Sequence, residues 1–83
     1  MKKTLIIDKV ASKNLKRTDK ATRERIINAI MGLLEEPPKG DIKPLKGELY
    51  GLYRCRVGNW RVTYKTTEEV INILEISPRG GAY

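Results

Sequence analysis

Residues 52–66, LYRCRVGNWRVTYKT, hold two β-prone runs, Leu52 to Val57 and Trp60 to Thr66, parted only by Gly58 and Asn59. A two-residue reversal between strands needs backbone dihedrals that glycine and asparagine adopt at low cost, so the stretch predicts a tight hairpin. The turn fixes the register. Val57 then faces Trp60, Arg56 faces Arg61, Cys55 faces Val62, Arg54 faces Thr63 and Tyr53 faces Tyr64. Opposed residues share a face of a sheet, so one side presents Tyr53, Cys55, Val57, Trp60, Val62 and Tyr64, and the other presents Arg54, Arg56, Arg61, Thr63 and Lys65. The first side is an apolar surface fit to receive a helix; the second is a basic one.

The flanking sequence supplies the helix. Asp19, with Thr18 before it, is an N-cap residue, and Ile26, Ile30 and Leu33, with Ile27 and Leu34 beside them, follow the spacing of a helix that buries one broad face. Pro37 and Pro38 stop it, since neither donates a backbone hydrogen bond. Asp8 begins a shorter amphipathic turn or two, Lys9 to Arg17, behind a β-prone run at Thr4 to Ile7. Residues 37–50, PPKGDIKPLKGELY, carry three prolines and two glycines and read as an ordered but irregular loop. After the hairpin, Thr67 to Glu69 make a turn and Val70 to Ile76 a last strand, which Ser77 and Pro78 stop. The expected order is strand, helix, helix and three strands: one α+β domain over residues 1–83, with a mostly antiparallel sheet and the helix pair packed on one face.

Composition narrows the chemistry. The 83 residues leave no room for a second core, and 17 Lys and Arg against 10 Asp and Glu give a net charge of +7, which favours a polyanionic partner such as nucleic acid. With no histidine in the chain, neither a Ser-His or Cys-His nucleophile pair nor an HExxH zinc site can be built from it. Any catalysis must run on Arg, Lys, Tyr or a carboxylate. The single cysteine, Cys55, permits no intrachain disulfide and fits a reducing compartment, so a cytoplasmic location is expected. Asp8 and Lys9 cut the apolar start MKKTLII short of a signal peptide, and no segment approaches a membrane span.

Arg56 opposite Arg61 breaks a local rule, because like charges directly across a hairpin destabilise it unless an anion or carboxylate neutralises them. Four of the seven arginines fall in this hairpin or just after it. A soluble surface is served by mixed signs and by lysine, whereas the planar guanidinium fork matches phosphate oxygens. The basic face therefore reads as a phosphate seat. Glu75, Glu48 or an acidic partner chain are the other sources of neutralising charge.

The stretch GLYRCRVGNWRVTY (51–64), followed by a strand and ISPRGGAY (76–83), resembles the RelE/ParE superfamily of toxins from bacterial and archaeal toxin-antitoxin pairs. The likeness covers nearly the whole chain, and the hairpin and the RxxxY tail are its specific parts. It implies a toxin that binds a translating ribosome and cuts messenger RNA in the A site without a metal, silenced by a cognate antitoxin in a hetero-oligomeric complex. On that resemblance Arg61 is the central phosphate-binding arginine, Arg79 stabilises or protonates the leaving 5' oxygen, and Tyr83 stacks on or orients the nucleotide. Arg54 stands where some members have lysine, and Arg56 is further phosphate support.

The chain also departs from the family pattern. Leu52 occupies a catalytic lysine position, and Pro78 stands where many relatives have histidine. The guanidinium of Arg54 stays protonated at any ordinary pH and makes a poor base. The general base is left open among Tyr83, a free carboxylate beside it, a substrate phosphate oxygen, Lys43, Lys46 and Lys65; the three lysines are also candidate RNA-binding residues. Two other readings stand beside cleavage: a ParE-like inhibitor of DNA gyrase that needs no active site, and a degenerate toxin acting as a nucleic-acid-binding module with its antitoxin. Cys55 and Trp60 are assigned to the core by parity. Lys13, Lys16, Arg17, Lys20, Arg23 and Arg25 are expected to form a solvated basic face that touches ribosomal RNA, and the apolar groove beside the helices and sheet edge is the expected antitoxin seat.

Overall fold

Asp8 and Asp19 set where the two helices begin. In the computed structural model, which describes residues 3–44 and 51–78, the Asp8 carboxylate accepts from the Val10 backbone N–H at 3.2 Å and opens α1 (Lys9–Lys16). The Asp19 carboxylate accepts from the Thr22 N–H at 3.2 Å and opens α2 (Lys20–Gly32). Each carboxylate satisfies a donor that the first helical turn leaves without a partner. Between the helices, the Leu15 carbonyl accepts from the Thr18 hydroxyl at 2.7 Å and from Arg23 Nε at 3.2 Å, while Arg23 Nη2 donates to the Thr18 carbonyl at 2.8 Å. Arg23 thus closes the C-terminal end of α1 and is not part of the solvated basic face, whereas Lys13, Lys16, Arg17, Lys20 and Arg25 are exposed.

The helices cover one face of a five-stranded sheet built from β1 (Thr4–Ile7), β2 (Asp41–Pro44), β3 (Leu52–Val57), β4 (Trp60–Thr66) and β5 (Val70–Pro78), in the order β1-β5-β4-β3-β2. Among the described residues only β1 and β5 run parallel; every other pairing is antiparallel. Ala11 and Leu15 of α1 and Ile26, Ile30 and Leu33 at the α2 side pack against Cys55, Val62, Tyr64, Ile71, Ile73 and Ile76 of the sheet. Trp60 is half-buried against this cluster. The hairpin register is the expected one from Val57–Trp60 through Tyr53–Tyr64, and Gly58 turns with φ +58°.

Three elements differ from expectation. Asp41–Pro44 forms an edge strand within the stretch read as loop, pairing Asp41 with Arg56 and Lys43 with Arg54. Its alternation puts Ile42 against Cys55 on the inner face, and Pro44 is tolerated because an edge strand can lack a donor. α2 stops at Gly32, with Leu33 as its C-cap, and its buried face is narrower than expected: Ile27 is exposed. β5 continues through Ser77 and Pro78, which pair with Arg61 and Trp60, and it carries an irregularity opposite Thr63 and Tyr64 where Leu74 has no partner. A regular strand could not bury Ile71, Ile73 and Ile76 on one face, because side chains alternate with period two; the extra residue restores the parity.

Beyond Ile73 the outer edge of β5 has lost its partner β1. There Asn14 of α1 takes over, its Oδ1 accepting from the Ile76 N–H at 3.0 Å, just past the irregularity. Replacing Asn14 with Ala leaves a part-buried N–H unpaired, with an expected loss of about 1–2 kcal/mol, read in urea denaturation as a lower midpoint at unchanged slope.

Candidate phosphate-binding face

The face opposite the helices is organised in rows across the strands. One row runs Asp41, Arg56, Arg61, Ser77; the next runs Lys43, Arg54, Thr63, Glu75; the third runs Leu52, Lys65, Asn72, Ile6. The structure therefore brings Arg54, Arg56, Arg61, Lys43 and Lys65 onto one surface. Lys46, Arg79 and Tyr83 lie outside the described residues. Arg56, Lys43 and Lys65 are exposed, while Arg54 and Arg61 are half-buried.

The Arg56–Arg61 opposition is offset in part by Asp41, whose carboxylate lies 3.9 Å from Arg56 Nε. At 38% and 51% side-chain exposure this pair is screened by water and contributes little on its own. The more telling groups lie deeper. Arg54 Nη1, Asn72 Oδ1 and Ser77 Oγ are buried side-chain atoms without a hydrogen-bond partner among the described residues. By strand parity all three belong to the same uncovered face. Leaving a buried polar group unpaired costs about 1–3 kcal/mol, so these three atoms, beside cations on one surface, are the candidate contacts for a ligand with both acceptor and donor atoms.

Asp41, Ser77 and Asn72 were missed by sequence reasoning. The alternation Asp41-Ile42-Lys43 carries a strand signal that the surrounding prolines outweigh, and Ser77, next to Pro78, reads as a strand stop. Asn72 sits in VINIL, where only its lack of apolar character distinguished it. Among the described residues no three His, Cys, Asp or Glu side chains cluster to hold a metal ion. No helix among them is long and apolar enough to cross a membrane.

The inner face holds the residues that parity assigned to the core. Tyr53 and Tyr64 stack with ring centroids 5.7 Å apart, and Cys55 is buried. Burial pushes the Cys55 thiol up, the Asp41 carboxylate adds to the rise and Arg54 opposes it, so the thiol is a packing group. At the hairpin tip the Arg25 guanidinium lies over Gly58, where a Cβ would stand 3.0 Å from its Nη2. Arg25 also borders a cavity of about 150 Å³, with Thr22, Ile26, Val57, Asn59 and Trp60.

The sequence model of the family described as "ParE toxin of type II toxin-antitoxin system, parDE" matches residues 5–83. The chain belongs to the RelE/ParE superfamily of type II toxins. It is similar to a chain of the archaeal RelE–RelB complex from Pyrococcus horikoshii OT3, with 35% identity and a TM-score of 0.81 over 99% of this chain and 100% of that one. A chain of the RelB–RelE antitoxin–toxin complex from Methanococcus jannaschii matches at 28% identity and TM-score 0.76, covering 89% of each. The YoeB dimer from Staphylococcus aureus shares the fold at 21% identity and TM-score 0.74, over 93% of this chain and 97% of that one. No curated protein matches the chain. The fold and the toxin superfamily expected from the resemblance are thus those of the chain itself.

In this toxin Tyr64 is unsuited to proton transfer: it faces the core, and burial, with Cys55 and Tyr53 adding to the effect, pushes its hydroxyl from 10.0 up to about 12. A raised phenol means that the unfolded state releases its proton first. The stability that neutral Tyr64 provides is therefore complete below pH 10 and is lost as pH climbs from 10.0 to about 12. Urea denaturation across that window is expected to show a decline that is shallower in Tyr64→Phe.

Proposed function

We propose that the toxin is a ribosome-dependent endoribonuclease that cuts messenger RNA in the A site by metal-free attack of a ribose 2'-OH on the adjacent phosphorus. The observation that carries this reading is the pair of buried, unpartnered atoms Arg54 Nη1 and Ser77 Oγ on the face that bears Arg61. Ser77 is directly opposite Arg61, and Arg54 stands one row away on the second strand over. A phosphodiester offers oxygens to both groups, and the charge that builds on them as the 2' oxygen attacks is what guanidinium groups stabilise most. The P–O5' bond breaks to leave a 2',3'-cyclic phosphate and a 5'-hydroxyl, so the proton lost by the 2'-OH equals the one gained by the 5' oxygen. Arg79 serves that leaving oxygen and Tyr83 orients the nucleotide, on the family resemblance. The open lysines Lys43, Lys46 and Lys65 hold the flanking backbone, and Arg56 adds to the field.

The partner that silences the toxin is a cognate antitoxin, as in the RelE–RelB complexes it resembles. Ile27 and Met31, one turn apart on α2, and Val10 on α1 are exposed apolar side chains of the helical layer, a surface such a partner covers. The family description also names ParE toxins, which supports the second reading, a gyrase inhibitor that acts by binding.

Primer extension on a defined messenger in a purified translation reaction tests the assignment. New ends at A-site positions are expected only with ribosomes. Arg61→Ala and Arg54→Ala are each expected to lower the rate about 100-fold, the loss usual for one transition-state donor, without unfolding. Intact messenger together with inhibited gyrase supercoiling would replace this reading with the second.

A further inference from the structure

Asn72 is a poor choice for its place in the fold. It lies inside β5 between Ile71 and Ile73, where β-branched residues are favoured and asparagine is depleted. On the outer face it stands between Lys65 of β4 and Ile6 of β1. Its Oδ1 is buried without a hydrogen-bond partner, although an amide that served only the fold would pair both of its ends. The backbone is already tied on either side, by Leu5–Ile71 and Ile7–Ile73 pairing to β1. The side chain is therefore not spent on holding the sheet.

Its location gives it a role distinct from that of the arginines. Ser77 lies five positions further along the same strand, on the order of 15 Å away along the strand axis, which is more than one nucleotide from the phosphate seat. Lys65, directly opposite, is an exposed cation on the same face and suits a second backbone phosphate. An amide beside such a cation presents one acceptor and two donors in a plane, the pattern that pairs with adenine through its N6 amino group and N7. Single-stranded RNA leaves those base edges open to a protein.

We propose that Asn72 is a specificity-determining residue of the outer face, its amide reading an adenine more than one nucleotide along the strand from the phosphodiester held by Arg54 and Arg61. The inference rests on the RNA reading of that face and adds to it a source of sequence preference. Asn72 touches the base and takes no part in the bond changes.

The test is the rate of cleavage of ribosome-bound messengers that differ by one base at each position flanking the cut, for the unaltered toxin, Asn72→Ala and Asn72→Asp. The unaltered toxin is expected to favour adenine at one position by about tenfold or more, and Asn72→Ala to abolish that ratio. Asn72→Asp keeps the size of the side chain and so guards against loss of folding; its preference is expected to move to cytosine, whose amino group donates to a carboxylate. A ratio that survives both substitutions overturns the proposal, as does an equal fall on all four bases. Should the toxin cut no messenger, the ribonuclease reading fails by itself. Binding of labelled single-stranded oligonucleotides then decides about Asn72: adenine-selective binding lost in Asn72→Ala upholds base reading, and binding without selectivity ends it.

Discussion

The pairing of Cys55 with Val62 across the β3–β4 hairpin is the constraint on which both surfaces depend. A slip of β3 by one residue against β4 would turn Tyr53 and Cys55 out to water and drive Arg54 and Arg56 under the helices. Neither outcome is tolerable, since the first exposes the apolar cluster and the second buries unpaired cations. The two faces therefore specify one another. The positive φ of Gly58 locks the register at the tip, and the Arg25 guanidinium, packed over that glycine, ties the tip to α2.

The same constraint explains the irregularity in β5. Three isoleucines, Ile71, Ile73 and Ile76, are buried together, and the odd spacing between the last two requires Leu74 to fall out of step with β4. The parity change also decides which residues reach the outer face: without it Ser77 would point at the helices and the Arg61 row would end in an isoleucine. Asn14 then pairs the backbone N–H of Ile76 at the point where β1 no longer covers the edge. A helix residue thus supports the strand geometry on which the proposed phosphate seat is built.

Much of this was legible in the chain because the decisive signals are local. Gly58-Asn59 gave the hairpin, two aspartates gave the helix starts, and alternation gave the sorting of arginines from aromatics. The edge strand Asp41–Pro44 was not, because its pairing with β3 is non-local and its prolines read as loop; the strand exists because Asp41 and Ile42 each find a matched partner, in Arg56 and Cys55. The bulge was hidden for the same kind of reason, since tertiary packing, not propensity, selects which isoleucines go inward. Arg23 looked like one more surface cation, and only the meeting of two helix ends revealed carbonyls within its reach. Ser77 and Asn72 lacked any distinguishing motif, and their interest comes from atoms left without partners once the sheet has formed.

The basic face also sets a balance between stability and binding. The arginines on neighbouring strands repel one another, and Asp41 meets Arg56 in an exposed pair that water screens, so the basic face adds a repulsion that the apolar inner face helps to offset. An anion that seats on the face relieves the repulsion and the unpaired donors together, and it stabilises the fold by mass action in proportion to its occupancy. Lysine in place of these arginines would keep the charge and lose the planar fork, so it would retain attraction to a polyanion while giving up the geometry needed at a single phosphate. That distinction separates general nucleic-acid adhesion from a phosphate seat. Arginine at three hairpin positions, with a buried guanidinium nitrogen still without a partner, is the feature on which the proposed seat rests.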